Sequence, residues 1–235
     1  MTREKWIGLL PFYLLVVVLL LGAARLGSDA VTTIAEEIPV QREHTIIVDA
    51  GHGGVDGGAT SCTGVLESNL NLQIALRLDD LLHLIGFKTE MIRKEDISVY
   101  TEGDTIAQKK ISDLKERVRI VNSTENAILI SIHQNTFSDQ RYGGAQVFYA
   151  QTDRSKELAQ NLQASLVDML NPGSNRTSKK ADKVYLMNHI EKIGILIECG
   201  FLSNPAEEAL LRSEAYQKAL CCVIACALSN FTDKA

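Results

Sequence analysis

A chain of 235 residues is long enough for one well-buried domain and too short for two domains of ordinary size. Its 46% hydrophobic and 23% charged residues are typical of a globular protein. The formal net charge of −5 argues against a general nucleic-acid binder, which would carry a basic surplus, so no nucleic-acid partner is predicted. A polymer substrate held by a few well-placed groups stays open.

An almost unbroken apolar run lies near the N-terminus. Arg3 and Lys5 precede the run from Trp6 to Ala24, whose length is close to the roughly 20 residues that span a bilayer. We therefore expect residues 1–27 to be a signal peptide or a membrane anchor, residues 28–43 to be a linker, and the rest of the chain to be extracytoplasmic. A buried core helix is the alternative, but a run that is apolar on every face suits lipid better.

Residues 44–233 alternate short apolar runs with helical patterns. The predicted strands are His44–Val48, Phe87–Ile92, Ala127–Ile132, Gly144–Tyr149, Ile193–Ile197 and, as a short further one, Val184–Met187. The predicted helices cover Leu70–Ile85, Ile106–Asn122, Ser155–Leu170, a segment opened by Pro205, and Tyr216–Leu228. Short apolar strands separated by helices are typical of a mostly parallel sheet covered on both faces. The pattern predicts one α/β domain of three layers with a mostly parallel, mixed sheet.

Three metal-capable side chains lie at or just beyond the ends of predicted strands. His52 lies in the glycine-rich segment Asp49-Ala-Gly-His-Gly-Gly, His133 directly follows Ala127–Ile132, and Glu198 directly follows Ile193–Ile197. Ligands of open α/β sheets bind in the crevice at the carboxyl ends of the strands. We therefore expect these three side chains to converge at that edge of the sheet.

Glu67 is a fourth candidate, because it begins the helix that follows the glycine-rich segment. Two histidines and one carboxylate with an open fourth position are the ligand set of a catalytic zinc site, and Glu198 would remain as a general base. Each residue also has an ordinary structural role open to it. The histidines could be surface or hydrogen-bonded core residues, and Glu67 could simply favour a helix N-terminus. The four together indicate a zinc hydrolase and leave its substrate open.

Several segments resemble one family in order and in residues. They are Ile46-Ile-Val-Asp-Ala-Gly-His-Gly-Gly54, Leu66-Glu-Ser-Asn69, Leu114-Lys-Glu-Arg117 with Asn122, Ser131-Ile-His-Gln-Asn135 and Ile197-Glu-Cys-Gly-Phe-Leu-Ser-Asn-Pro205. Together they resemble the zinc-dependent N-acetylmuramoyl-L-alanine amidases, which cleave the amide between muramic acid and L-alanine in peptidoglycan. The resemblance implies one Zn²⁺ held by His52, Glu67 and His133, with Glu198 as the catalytic carboxylate.

Within that family, the compact domain behind an N-terminal apolar segment is most similar to the germination-specific branch of spore formers. That similarity implies a role in spore cortex synthesis, where peptides are removed so that muramic δ-lactam can form, in the space between the forespore membranes. Some members are said to need a lipoprotein partner, and the sequence does not decide whether this chain does. Two rival functions stay open: another zinc peptidase, or a catalytically silent cell-wall-binding module.

The segment Asn175–Lys183 is rich in cations. Either it is a solvated face, or Arg176 and Lys179 hold carboxylates of the stem peptide, with Asn135 as a further substrate contact. Relatives that are held inactive carry a long helical insertion after the His-x-Asn segment. Here only Phe137–Gly143 precedes the next predicted strand, which is too short for such a helix, so no plug is expected at this point.

Overall fold

Six β-strands form one sheet in a computed structural model that describes residues 43–233. The strands are β1 (Thr45–Ala50), β2 (Lys88–Met91), β3 (Ala127–Asn135), β4 (Gln146–Tyr149), β5 (Lys179–Lys180) and β6 (Ile193–Phe201). The helices are α1 (Glu67–Leu84), α2 (Ile106–Ser123), α3 (Ser155–Met169), α4 (Tyr185–His189), α5 (Pro205–Leu211) and α6 (Glu214–Thr232).

The strand order is β2-β1-β3-β6-β4-β5. The pairs β1–β2, β1–β3, β3–β6 and β4–β5 are parallel, whereas β4 runs antiparallel to β6. The carboxyl ends of the central strands β1, β3 and β6 therefore meet at one edge of the sheet. The predicted α/β domain with a mixed, mostly parallel sheet is confirmed.

Two apolar clusters cover the two faces of the sheet. Ile46 and Val48 of β1 belong to a larger cluster, to which α1, α3 and α6 contribute Leu70, Leu158 and Leu220. Ile47 points the other way, into a smaller cluster that includes Val121 of α2 and Leu186 of α4. Because the central strands are buried on both faces, they consist almost entirely of apolar residues.

The structure corrects one predicted element and extends two others. Val184–Met187, predicted as a short strand, lies at the start of helix α4, where Leu186, Met187 and Ile190 are buried together at helical spacing. The strands β3 and β6 run beyond their apolar runs, so His133 and Glu198 lie inside strands and not after them.

The predicted signal or anchor segment and most of the predicted linker lie outside the described residues. Within residues 43–233, none of the helices has both the length and the apolar character needed to cross a bilayer.

Candidate metal centre

His52 lies two residues beyond β1, on a loop that closely approaches β3. The amide of Gly51 donates to the carbonyl of Ile132 at 3.0 Å, and the backbone then turns left-handed at His52, with φ of 61°. Only glycine fits at position 51, since a Cβ atom there would lie 2.2 Å from Nε2 of His133. The local sequence thus brings the two histidine rings to a centroid separation of 5.0 Å.

Glu67 is the first residue of α1, and its carboxylate points back into the same place. Backbone amides of Ala59 and Gln134 donate to its two oxygens at 2.9 and 3.0 Å. Gly58 makes room for this approach, because a Cβ atom there would lie 2.6 Å from Oε2 of Glu67. The side chain is 5% exposed, so its orientation is set by the protein and not by solvent.

The side chains of His52, Glu67 and His133 form a group whose donor atoms all lie within 4.8 Å of one another. Nε2 of His52 is 3.2 Å from Oε2 of Glu67, and Nδ1 of His133 is 3.1 Å from Oε1. When ligand atoms surround one zinc ion tetrahedrally at distances of about 2.0–2.1 Å from the metal, they lie about 3.3 Å from one another. The spacing and the chemistry of these donors fit a zinc ion.

Glu198 lies beside this group, in register with His133 on the neighbouring strand. Its Oε2 is buried and has no hydrogen-bond partner among the described residues. It lines a cleft of roughly 340 Å³, together with His52 and His133. A buried carboxylate oxygen without a partner is costly in a folded protein, which indicates a group kept for chemistry.

The pKa values of the carboxyl groups shift in opposite directions. Burial alone would raise the pKa of Glu67, but hydrogen bonds and charge interactions with His133 and His52 outweigh it and hold that pKa far below its usual range. Burial raises the pKa of Glu198, and the nearby charge of Glu67 adds to this effect. Burial lowers the pKa of His52, but the carboxylates of Glu67 and Asp56 reverse the net shift. Glu67 therefore remains an acceptor, whereas Glu198 is suited to taking up a proton.

The structure brings the four predicted metal and catalytic residues together and places the three predicted substrate contacts elsewhere. Asn135 ends β3, and its Oδ1 accepts a hydrogen bond from the Thr136 amide at 2.8 Å. Arg176 donates to the carbonyl of Gly143 at 2.8 and 3.0 Å, and Lys179 is exposed on β5. Of the cations in the segment Asn175–Lys183, Lys183 lines the cleft.

The segment between β3 and β4 contains no helix in the described chain, as its length predicts. The side chains of His52 and His133 each remain 20% exposed.

The sequence did not reveal the polar groups that support the site, above all Asp56 and Arg93. Arg117 drew notice only through the family resemblance, and no periodic pattern reveals its role.

Comparisons with known proteins agree on one family. The family model described as N-acetylmuramoyl-L-alanine amidase matches residues 46–230. The germination-specific N-acetylmuramoyl-L-alanine amidase of Bacillus subtilis (strain 168) is 37% identical over 192 residues, which are 80% of each chain. The CwlD amidase from Clostridioides difficile, solved in complex with the GerS lipoprotein, is also 37% identical, with a TM-score of 0.77 over 81% of this chain and 99% of that one.

A second solved structure, the N-acetylmuramoyl-L-alanine amidase from Clostridium difficile 630, is 30% identical. Its TM-score is 0.71, over 82% of this chain and 98% of that one. These similarities extend over nearly all the described residues.

Proposed function

The chain belongs to the N-acetylmuramoyl-L-alanine amidase family, and we propose that it hydrolyses the amide between the lactyl group of muramic acid and L-alanine in peptidoglycan. One observation at the site supports this proposal most directly. The donor atoms of His52, Glu67 and His133 converge within 4.8 Å, and beside them lies Glu198, whose Oε2 has no hydrogen-bond partner among residues 43–233. A metal-assisted hydrolase needs this combination of a ligand set and a free base.

The residues present would hold one Zn²⁺ through two imidazole nitrogens and the carboxylate of Glu67. When bound, zinc would supply Lewis-acid polarisation of the scissile carbonyl and lower the pKa of a water molecule towards about 7. The chain's own contribution is the orientation of the ligands. Glu67 is held by two backbone amides, and His133 is held within β3.

Glu198 is the proposed general base and acid. Glu198 lines the cleft, its buried Oε2 has no hydrogen-bond partner in the described part of the chain, and burial raises its pKa, so it can accept a proton from the attacking water. It then returns that proton to the alanine nitrogen as the carbon–nitrogen bond breaks. Both transfers need a carboxyl group, so an amide side chain at this position cannot replace it.

The stem peptide carries carboxylates, and the cations of the segment 175–183 remain the proposed contacts for them. Arg176 and Lys179 belong to this set, with Asn135 as a further proposed substrate contact. Lys183 is the member of the segment that lines the cleft. Arg176 is already engaged with the carbonyl of Gly143, which makes it a support of the neighbouring loop as well.

We further propose the biological setting from the relatives. One is named as a germination-specific amidase, which suggests that this chain acts in spore cortex synthesis, where removal of the peptide allows muramic δ-lactam to form. Another was solved with a lipoprotein, so a protein partner is proposed here too. Action on peptidoglycan requires an extracytoplasmic location, for which residues 1–27 are the proposed signal peptide or anchor.

The test is digestion of purified peptidoglycan by the full-length chain in mild detergent with added zinc, followed by mass spectrometry. The expected products are peptides with a free N-terminal alanine and glycan with intact muramic acid, both absent with Glu198→Gln. Cleavage at a peptide bond would indicate another zinc peptidase. Binding of zinc and peptidoglycan without any cleavage, both alone and with a relative's lipoprotein partner, would indicate a silent wall-binding module.

A further inference from the structure

A buried arginine lies directly under the loop that carries His52. The side chain of Arg117, on α2, is 3% exposed, and its Nη2 donates to the carbonyl oxygen of His52 at 2.7 Å. Its Nη1 donates to the carbonyl of Ala50 at 3.1 Å and to the carboxylate of Asp49. One planar guanidinium thus contacts three of the four residues from Asp49 to His52.

The charge of Arg117 is balanced locally. Asp49 is 1% exposed, and Asp113 accepts from Nε of Arg117 at 2.6 Å. Asp49 also accepts a hydrogen bond from the hydroxyl of Ser131 at 2.6 Å, two residues before His133 on β3. Because both carboxylates are paired, the buried guanidinium is compensated, and its remaining donors are free to hold the loop.

The backbone of His52 needs such support. Its φ of 61° is in the left-handed region, which residues with a side chain disfavour. In this conformation the carbonyl points towards α2, where Arg117 meets it. A second buried arginine, Arg93, holds the preceding carbonyls of Ala50 and Gly51 at 2.8 and 3.0 Å. Three consecutive carbonyls up to and including that of His52 are therefore bound by guanidinium groups.

The ring of His52 is held independently. Its Nδ1 lies 2.9 Å from Oδ2 of Asp56, and Lys110 contacts both oxygens of that carboxylate at 3.1 Å. A proton on Nδ1 that is donated to Asp56 leaves the lone pair on Nε2, the nitrogen that faces Glu67. Asp56 thus selects both the tautomer and the direction of the ring.

We propose that Arg117 and Asp56 are positioning residues that hold His52 by its carbonyl and by its ring, and that this double hold sets the affinity of the metal centre. The inference rests on the proposed function only in requiring that the site bind a divalent metal. Neither residue is a ligand, and each acts through His52. Metal affinity is therefore the primary measurement, and it is separate from turnover.

The experiment compares zinc affinities of the full-length chain by competition with a chromophoric chelator. Arg117→Lys keeps a cation beside Asp49 but cannot donate in a fork to Ala50 and His52 at the same time. Asp56→Ala removes the partner of Nδ1 at a side chain that is 23% exposed, whereas Arg117 is 3% exposed, so it disturbs the packed interior less. Each variant is expected to weaken zinc binding about 10- to 100-fold, the usual effect of losing such a support.

The matched control is Arg176→Lys. Arg176 also donates to a backbone carbonyl, that of Gly143, and lies 5.1 Å from the ring of Phe201, but it contacts none of the three ligands. Its zinc affinity should equal that of the wild type even if its melting temperature falls. The visible absorption spectrum of the Co²⁺-substituted protein adds a second readout, which should change with Arg117→Lys and Asp56→Ala and not with the control.

Unchanged zinc affinity and an unchanged cobalt spectrum in Asp56→Ala would overturn the proposal even if Arg117→Lys failed to fold. If Arg117→Lys had a lower melting temperature but wild-type zinc affinity, Arg117 would have only a structural role. That result would also overturn the proposal. Zinc binding by the wild type without peptidoglycan cleavage would count against the proposed function alone. Absence of zinc binding in the wild type would remove the metal centre, and this proposal with it.

Discussion

His133 and Glu198 are direct register partners on the parallel strands β3 and β6. In a sheet, partners in register project their side chains to the same face, so the proposed ligand His133 and the carboxylate of Glu198 are neighbours. The register shifts immediately afterwards, between His133 and Asn135, where β6 accommodates one extra residue. The strand pairing that places Glu198 therefore changes register just beyond it.

Replacement of Glu198 by Gln separates metal binding from proton transfer. The amide keeps the size of the side chain but cannot take up a proton, so turnover should fall by about 10²–10⁴-fold, the usual contribution of a general acid–base group. Zinc content should stay at the wild-type level. His133→Ala is the comparison, since it should lose both zinc and activity. Near-full activity of Glu198→Gln would show that the base has been misassigned.

The buried pair of Asp49 and Arg117 predicts how stability depends on pH. Burial alone would raise the pKa of Asp49, but the guanidinium of Arg117 and the hydroxyl of Ser131 outweigh it and hold that pKa below its ordinary value of 3.8. A carboxyl group whose pKa is lowered by folding stabilises the protein above the unfolded pKa, and this contribution is lost as the pH falls through the folded pKa.

Asp49→Asn should therefore be strongly destabilising near pH 7, by about 3–5 kcal/mol, because it removes one partner of a buried ion pair. The difference from the wild type should shrink below pH 4, where the wild-type carboxyl group begins to be protonated in the unfolded chain. Urea unfolding of the metal-free protein between pH 7 and pH 3 measures this. A difference that stayed constant over the whole range would contradict the assigned role of the Asp49 charge.

The central strands could be predicted because strands buried on both faces are continuously apolar. The same rule placed their ends too early. His133 and Glu198 look like loop residues because they are polar, yet their backbones still pair with the neighbouring strand. The five-residue helix α4 was predicted as a strand because Val184–Met187 is too short to show a helical period.

The convergence of His52, Glu67, His133 and Glu198 could be predicted because strand ends and a helix start meet by topology. The residues that support His52 could not be predicted from the sequence. Arg117 contacts residues 65–68 positions earlier in the chain, a separation that only the tertiary packing of α2 against the sheet closes. Asp56 is only four residues from His52, but nothing in a glycine-rich loop indicates which way a side chain will turn.

The cations of the segment 175–183 can be distinguished by charge reversal. Lys183 lines the cleft, so Lys183→Glu should raise the KM for muropeptides with an acidic stem by up to about fivefold, the effect of losing an exposed ion pair of roughly 1 kcal/mol. Steady-state kinetics on defined muropeptides measure this, and kcat should change little. If Arg176 and Lys179 share the role, their charge reversals should raise KM as well.

Muropeptides with an amidated stem provide the control for this prediction. They lack the carboxylate, so KM for them should be insensitive to Lys183→Glu. Arg176→Glu must be interpreted alongside its melting temperature, because it also removes two hydrogen bonds to Gly143. An equal rise in KM for amidated and acidic stems would exclude a carboxylate contact at the tested position.

Gly58 and Gly64 offer a matched pair that separates backbone strain from space at the metal centre. Both have positive φ, 68° and 90°, so an alanine is strained at either position. At Gly58 a Cβ atom would lie 2.6 Å from Oε2 of Glu67 and 2.7 Å from the His52 ring, whereas at Gly64 it would meet nothing within 4 Å.

Gly58→Ala and Gly64→Ala should therefore both lose stability, by about 1 kcal/mol or more. Gly58→Ala alone should displace the side chains of Glu67 and His52 and weaken zinc binding. Thermal unfolding and chelator competition measure the two effects. Equal zinc affinities of the two variants would mean that the close packing of Gly58 against Glu67 has no part in shaping the site.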